Sequence, residues 1–300
     1  MSLYPSFARP RSLTQAAELL DSLSSGAVII AGGQEIMPNV NRGILQPDVY
    51  VDIGSLGELT GITVDEGTGY LSIGALTVHR ELQKHPLVAA NAPLLAMSAK
   101  KAGGGRQVHN RGTIAGNVVA MHPLYDINPS LLCLGAEVEI LQGGDLRRVT
   151  FASLMDDTRH GLGSEAILTR VLIPPTPERA GSSYQKLKMS GGAYGSANAA
   201  AVATLDNDQI ASIRLVVGAV SERLVDASEA LSFAIGERWS DSLSARIRDA
   251  VTELITEPLN DQQGEGEWRA AMAGIVAARA CADAVQSAGT APEADAGVDS

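Results

Sequence analysis

A mixed α and β chain built in two parts is what the sequence predicts, and three features predict it. Short apolar runs of strand character alternate with longer stretches of helical periodicity. No internal repeat organises them, and a segment at 174–182 holding three prolines and a glycine divides the chain. With 300 residues, 45 % hydrophobic and 19 % charged, the chain is long and apolar enough to bury a sizeable core, so general disorder is not expected.

The elements follow in order. Ser12 is placed to cap a helix through Leu23, with Leu13, Ala16, Ala17, Leu19, Leu20 and Leu23 at helical spacing. Val28, Ile29 and Ile30 read as a short buried strand running directly into Gly32 and Gly33, after which a helix is predicted over 35–42. Strands are predicted over 49–53, 70–74, 137–141 and 167–173, and helices over 78–84, 93–101 and 128–134. The triple glycine 103–105 terminates the helix before it, and 110–117 is too glycine-punctuated for a regular helix. Beyond the proline-rich break, two apolar runs at 199–205 and 210–217 flank Asp206-Asn207-Asp208-Gln209 as a hairpin. Helices are predicted at 226–236, 241–256 and 266–286, and the last dozen residues, rich in Ala, Gly, Asp and Glu, as a loose tail.

Composition removes several classes of function. A formal net charge of −11, with no basic cluster longer than Lys100-Lys101 or Arg147-Arg148, opposes binding to a phosphate backbone. Two cysteines, Cys133 and Cys281, are too few for an iron–sulfur or structural zinc site, and Cys133 in the apolar run 131–134 reads as a core thiol. The five histidines, at 79, 85, 109, 122 and 160, show no metal-ligand spacing, so no metal is expected in this chain. No basic-then-apolar leader and no run of about 18 apolar residues occurs, which predicts a cytoplasmic protein without a transmembrane segment.

Two segments have the chemistry to hold a phosphorylated cofactor. Ala31-Gly32-Gly33-Gln34-Glu35 lies where a strand turns into a helix, and glycines there let backbone N–H groups approach a pyrophosphate. Two glycines alone specify only a tight turn. Neither G-x-G-x-x-G nor G-x-x-x-x-G-K-[ST] is present, which disfavours a nicotinamide dehydrogenase or a nucleotide hydrolase. The second segment, Asn110 to Asn117, adds Thr and Asn side chains able to hydrogen-bond phosphate oxygens, followed by the carboxylate of Asp126. Asp126 is also placed to cap the helix after it.

The runs AGGQEIMPNVNRG, IGALTVHREL and RQVHNRGTIAGNVVAMHPLYDINPSL, in that order, resemble the FAD-binding medium subunits of the molybdenum hydroxylases, the carbon monoxide dehydrogenase and xanthine dehydrogenase family. The similarity runs from about residue 3 to 287. It implies an α+β fold: a two-part FAD-binding domain of the PCMH/vanillyl-alcohol-oxidase type over 1–177, with a small lobe to about 55 and a larger one from 56. A C-terminal α+β domain like that of the carbon monoxide dehydrogenase flavoproteins would follow over 178–287, then a flexible tail over 288–300.

By the same resemblance, Ala31, Gly32, Gly33, Gln34, Glu35 and Ile36 wrap the FAD pyrophosphate, and Thr113, Ile114, Gly116 and Asn117 form the second pyrophosphate loop with Gly112 before it. Gly104, Val108, Thr77 and Asp126 join the cofactor-binding set, Leu168 and Lys186 lie against the flavin or adenosine, and Tyr194 stands near the isoalloxazine; Lys186 also reads as a solvated strand lysine. Ala115 replaces the first glycine of the family's T-I-G-G-N, a change that requires negative φ there. The stretch 188–193 and the residues His122 and Tyr125 also depart from the family's usual pattern.

The implied function is electron relay without a catalytic side chain in this chain. A large molybdenum-cofactor subunit would oxidise the substrate, a small [2Fe-2S] subunit would pass electrons on, and FAD here would reduce an external acceptor, in a dimer of heterotrimers. The residues alone also admit a free-standing flavin oxidase or dehydrogenase, and an assembly subunit without cofactor.

Overall fold

The computed structural model describes residues 5–23, 26–157, 162–163, 165–190 and 193–290. The chain divides into two compact units, Met1–Pro175 and Thr176–Ser300.

The first unit opens with a parallel three-stranded sheet. β1 (Ser6–Ala8), α1 (Leu13–Leu23), β2 (Ala27–Ile30), α2 (Ile36–Asn41) and β3 (Val49–Asp52) follow one another, and β3 sits centrally in the order β1-β3-β2. Parallel neighbours need crossovers, which α1 and α2 supply. The hydroxyl of Ser12 accepts from the N–H of Gln15 at 3.1 Å, so α1 begins where its capping residue predicts. Ala16, Ala17 and Leu20 are its buried face.

A five-stranded antiparallel sheet forms the rest of this unit, in the order β4-β5-β8-β6-β7. It comprises β4 (Ile62–Val64), β5 (Leu71–Gly74), β6 (Glu137–Gln142), β7 (Asp145–Thr150) and β8 (Ile167–Ile173). Between β5 and β6 run α3 (His79–Leu82), α4 (Pro86–Asn91), α5 (Pro93–Lys101), α6 (Gly105–Arg111), α7 (Ile114–Ala120) and α8 (Ile127–Cys133), and α9 (Phe151–Asp157) follows β7. β8 is buried along nearly its whole length, which explains its unbroken apolar run. Cys133 is buried at the end of α8.

The second unit packs one long helix on an antiparallel sheet in the order β12-β11-β10-β9. β9 (Gly181–Leu187), β10 (Ala197–Asp206), β11 (Gln209–Gly218) and β12 (Val225–Asp226) precede α10 (Asp241–Leu254) and α11 (Gly266–Gly289). Ala197, Ala199, Ala201 and Ala203, alternate residues of β10, join Ala273, Ala277, Ala280 and Ala284 of α11 in one core. Small side chains on both surfaces allow a close approach of helix to sheet.

Several predicted elements need correction. The segment 110–117 is not irregular: α6 ends at Arg111, Gly112 and Thr113 break the chain, and α7 starts at once. Thr113 caps α7 and Ala115 favours helix where a second glycine would not. The helix predicted at 226–236 is β12 followed by a 3-10 turn over Glu229–Ala234. α11 continues to Gly289, and the remainder of the predicted tail from 291, like His160, lies outside the described residues.

Candidate cofactor site

The end of β2 delivers the chain into the first glycine turn. Gly33 has φ +70°, the left-handed conformation that glycine adopts without strain. Among the described residues, the backbone N–H groups of Gly32, Gly33, Gln34 and Glu35 donate to no protein acceptor, while the Gln34 side chain donates back to the Gly32 carbonyl at 3.2 Å. Four successive free donors in one turn make an anion cradle. α2 has only six residues, so these N–H groups, more than a helix dipole, supply the attraction.

The second segment meets the first directly. A Cβ on Gly32 would stand 1.8 Å from the carbonyl oxygen of Arg111, so only glycine fits where the two loops touch. The N–H of His79 donates to Gly112 O at 3.0 Å, and that of Ile114 to Thr77 O at 2.9 Å. Ala115 N–H reaches Ala75 O at 3.2 Å, Gly116 N–H reaches Thr113 Oγ1 at 3.1 Å, and Asn117 N–H reaches Thr113 O at 3.1 Å. The Thr113 hydroxyl therefore serves α7 as its cap, and the N–H groups of Ile114 to Asn117 are spent on the protein itself. Ala115 has no positive φ, so its methyl introduces no backbone strain.

The second segment and the chain packed around it hold unpaired side-chain oxygens instead. Thr77, 2 % exposed, has no partner for its buried Oγ1, and the Oδ1 atoms of Asn117 and Asn128 are likewise buried and unpaired. The Asn128 amide donates to the Asn117 carbonyl at 3.3 Å, which holds the start of α8 on α7. Orphaned buried acceptors cost stability unless a partner satisfies them. None of these three side chains lines either of the two cavities beside the loop junction.

Two cavities, of about 360 and 450 Å³, flank the junction of the loops. Both are lined by Ala31, Gly32, Asp52 and Arg111; Thr113 faces one, and Gly33 and Gln34 face the other. Arg9 pairs with Asp52 at 3.1 Å at the rim. Arg9, Asp52 and Arg111 were not among the residues predicted from sequence. Arg111 lay inside the second motif and could have been weighed as an anion partner, whereas Arg9 and Asp52 carry no local signal.

The other predicted residues fall as follows. Glu35 accepts from the Tyr125 hydroxyl and from Asn39 Nδ2, the latter at 2.9 Å, and Ile36 begins α2. Gly104, with φ +80°, lies tight against Val108, whose carbonyl accepts from Gly112 N–H at 2.7 Å. Asp126 is buried at the N-cap position of α8 but makes no capping bond, so the simple capping role does not hold. Leu168 is buried in β8, one residue before Thr169, whose carbonyl holds the N–H of Ala75 at 3.0 Å. Lys186 and Tyr194 belong to the second unit. Lys186 lies across the β9–β10 ladder from Asn198, and Tyr194 is 41 % exposed. Gly191 and Gly192 of the 188–193 stretch lie outside the described residues.

His79 lies beneath this junction. It is buried, its Nδ1 has no partner, and burial lowers its pKa to about 4, with repulsion from His109 adding to the shift.

Comparison with known proteins places these features in a family. Residues 4–176 match the FAD binding domain in molybdopterin dehydrogenase, and residues 182–284 match the CO dehydrogenase flavoprotein C-terminal domain. The chain is 32 % identical to the carbon monoxide dehydrogenase medium chain of Afipia carboxidovorans, over 91 % of this chain and 93 % of that one. It is 28 % identical to the nicotine 6-hydroxylase medium subunit of Paenarthrobacter nicotinovorans, over 88 % and 91 % of the two chains. A solved carbon monoxide dehydrogenase from Hydrogenophaga pseudoflava superposes with a TM-score of 0.89 at 28 % identity, covering 96 % of this chain and 99 % of that one. With the first match spanning more than half its length, the chain belongs to the FAD-binding flavoprotein family of the molybdopterin dehydrogenases.

Proposed function

We propose that this chain is the FAD-carrying, electron-transferring medium subunit of a heteromeric molybdenum hydroxylase. The observation that carries this is the cradle of free N–H groups at Gly32 to Glu35, closed against Arg111, in a chain of this family. In this reading the first turn receives the diphosphate and Arg111 adds positive charge beside it. Thr77, Asn117, Asp126, Leu168, Lys186 and Tyr194 keep the roles that the resemblance gives them.

Bound flavin supplies a centre that takes up single electrons and releases them singly or as a pair. This chain's residues position it and shape its electrostatics, and none needs to act as a nucleophile or general base. Medium chains are by name one component of a larger assembly, as in both relatives above. The partners proposed here are a large molybdenum-cofactor subunit, where the substrate is chosen, and a small [2Fe-2S] subunit, arranged as a dimer of heterotrimers. Among the described residues no helix is long and apolar enough to cross a membrane, and the proposed location is the cytoplasm, free or held at a membrane through the complex.

The test is to purify the chain alone and with co-expressed partners. Alone, it should take up FAD and oxidise no organic substrate; in the complex, substrate should bleach the flavin. A colourless chain that never takes up FAD would point to an assembly subunit, and turnover without partners to a free-standing flavin enzyme.

A further inference from the structure

The first glycine turn owes its shape to few bonds of its own. Its four N–H groups are free, and Glu35 stands at the N-cap of α2 without forming a capping bond. The restraints within the segment are the Gln34 side chain on Gly32 O and Met37 N–H on Gly33 O at 3.2 Å. A turn this lightly held needs an external anchor if it is to wait, formed, for a ligand.

The carboxylate of Glu35 supplies one. One oxygen accepts from Asn39 Nδ2, and the other accepts from the hydroxyl of Tyr125, 90 residues further along the chain. Tyr125 is itself held. Its N–H donates to His122 O at 3.0 Å, its ring stacks on His122 with centroids 4.8 Å apart and planes 22° apart, and His122 Nδ1 accepts from Leu124 N–H at 3.2 Å. This small turn lies between α7 and α8, in the same stretch of chain as the second half of the site. A free carboxylate beside an anion cradle would repel a diphosphate, whereas two donors on Glu35 offset part of its charge.

From this arrangement we propose that Tyr125 is a positioning residue: through Glu35 it locks the first glycine turn to the α7–α8 segment, keeping the cradle in its ligand-receiving form. The inference rests on the cofactor-binding reading above. It also gives the carboxylate of Glu35 the role of an anchor, while the N–H of the same residue stays in the cradle.

The full chain tests this with Y125F, Glu35→Ala, the double variant and Glu35→Gln. Y125F and Glu35→Ala should each weaken FAD binding about tenfold, the worth of one charge-assisted hydrogen bond. The double variant should lose no more than either single one. Glu35→Gln, whose amide oxygen still accepts from Tyr125, should recover most of the affinity. In flavin-free protein, hydrogen exchange across α2 should quicken in Y125F and Glu35→Ala and stay near wild type in Glu35→Gln. Unchanged FAD affinity in Y125F, or losses that add in the double variant, would overturn the lock. Wild-type protein that binds no FAD defeats the functional reading instead, and exchange in α2 then decides the lock by itself, unchanged rates in Y125F overturning it.

Discussion

Gly32 and the carbonyl of Arg111 meet so closely that a single methyl on Gly32 would lie 1.8 Å from the oxygen. Backbone cannot yield there as a flexible side chain can. Gly32→Ala should therefore separate the two loops and lower FAD affinity by more than about tenfold, roughly the effect of losing over 1.4 kcal/mol. Flavin-to-protein ratio after gel filtration, with a titration of added FAD, measures it. Retention equal to wild type would remove the junction from the cofactor site.

Gly33 and Gly116 separate conformation from space. Gly33 needs φ +70°, and Gly33→Ala places a Cβ 3.5 Å from Met37, an ordinary distance, so its cost is backbone strain of about 1 kcal/mol. Gly116 is helical in α7, and its nearest neighbour for a Cβ is Thr113 Oγ1 at 3.0 Å. Gly116→Ala should thus gain helix propensity and lose a little at the cap, leaving the denaturation midpoint close to wild type. A fall in midpoint with Gly33→Ala and near-constancy with Gly116→Ala is the expected pair. The reverse order would mean that the turn and the helix are wrongly assigned.

Elements with a strong local signal were legible from sequence. α5 runs from Pro93 to Lys101 as its first-turn proline and the following glycines require, and β8 stops at Ile173 before two prolines. The hairpin of β10 and β11 turns at Asn207 and Asp208, both at positive φ, where Asn and Asp are tolerated. β7 and β9 gave no such signal. β7 is exposed along most of its length without apolar alternation, and β9 reads Ser-Ser-Tyr-Gln-Lys. Both are strands because a neighbour pairs with them, which is tertiary information. The same divide runs through the site: the glycines of the first turn stand in the motif, but their partner Arg111 O and the bond from Tyr125 to Glu35 join residues far apart in sequence.

Acid should expose the buried state of His79. Its pKa of about 4 in the folded chain lies below the 6.5 of the unfolded chain, so between these values only the unfolded state takes up the proton. The contribution is full above pH 6.5, is lost as pH falls to about 4, and changes little below that. Its ceiling is on the order of 3 kcal/mol. Urea midpoints from pH 7 to 4 for wild type and His79→Gln should diverge in slope by up to about one proton, the variant being shallower. Parallel curves would show that His79 is solvated.

Arg269 tests the second unit independently of the cofactor. Its side chain is 0 % exposed; it donates to Ala219 O at 2.6 Å and pairs with Asp261, so one guanidinium ties the loop after β11 to the turn before α11. Arg269→Ala strips the buried Ala219 carbonyl of its donor and opens a hole, a loss of about 2–5 kcal/mol set mainly by the cavity. Arg269→Lys, a point donor that cannot span both acceptors, should fall between. Arg269→Met fills most of the volume and leaves Asp261, which is 36 % exposed, able to turn to water, so it should lose less than Arg269→Ala. Urea denaturation followed by fluorescence gives the order wild type, then lysine or methionine, then alanine. Equal stability in wild type and Arg269→Ala would mean that this buried cation does not hold the loop.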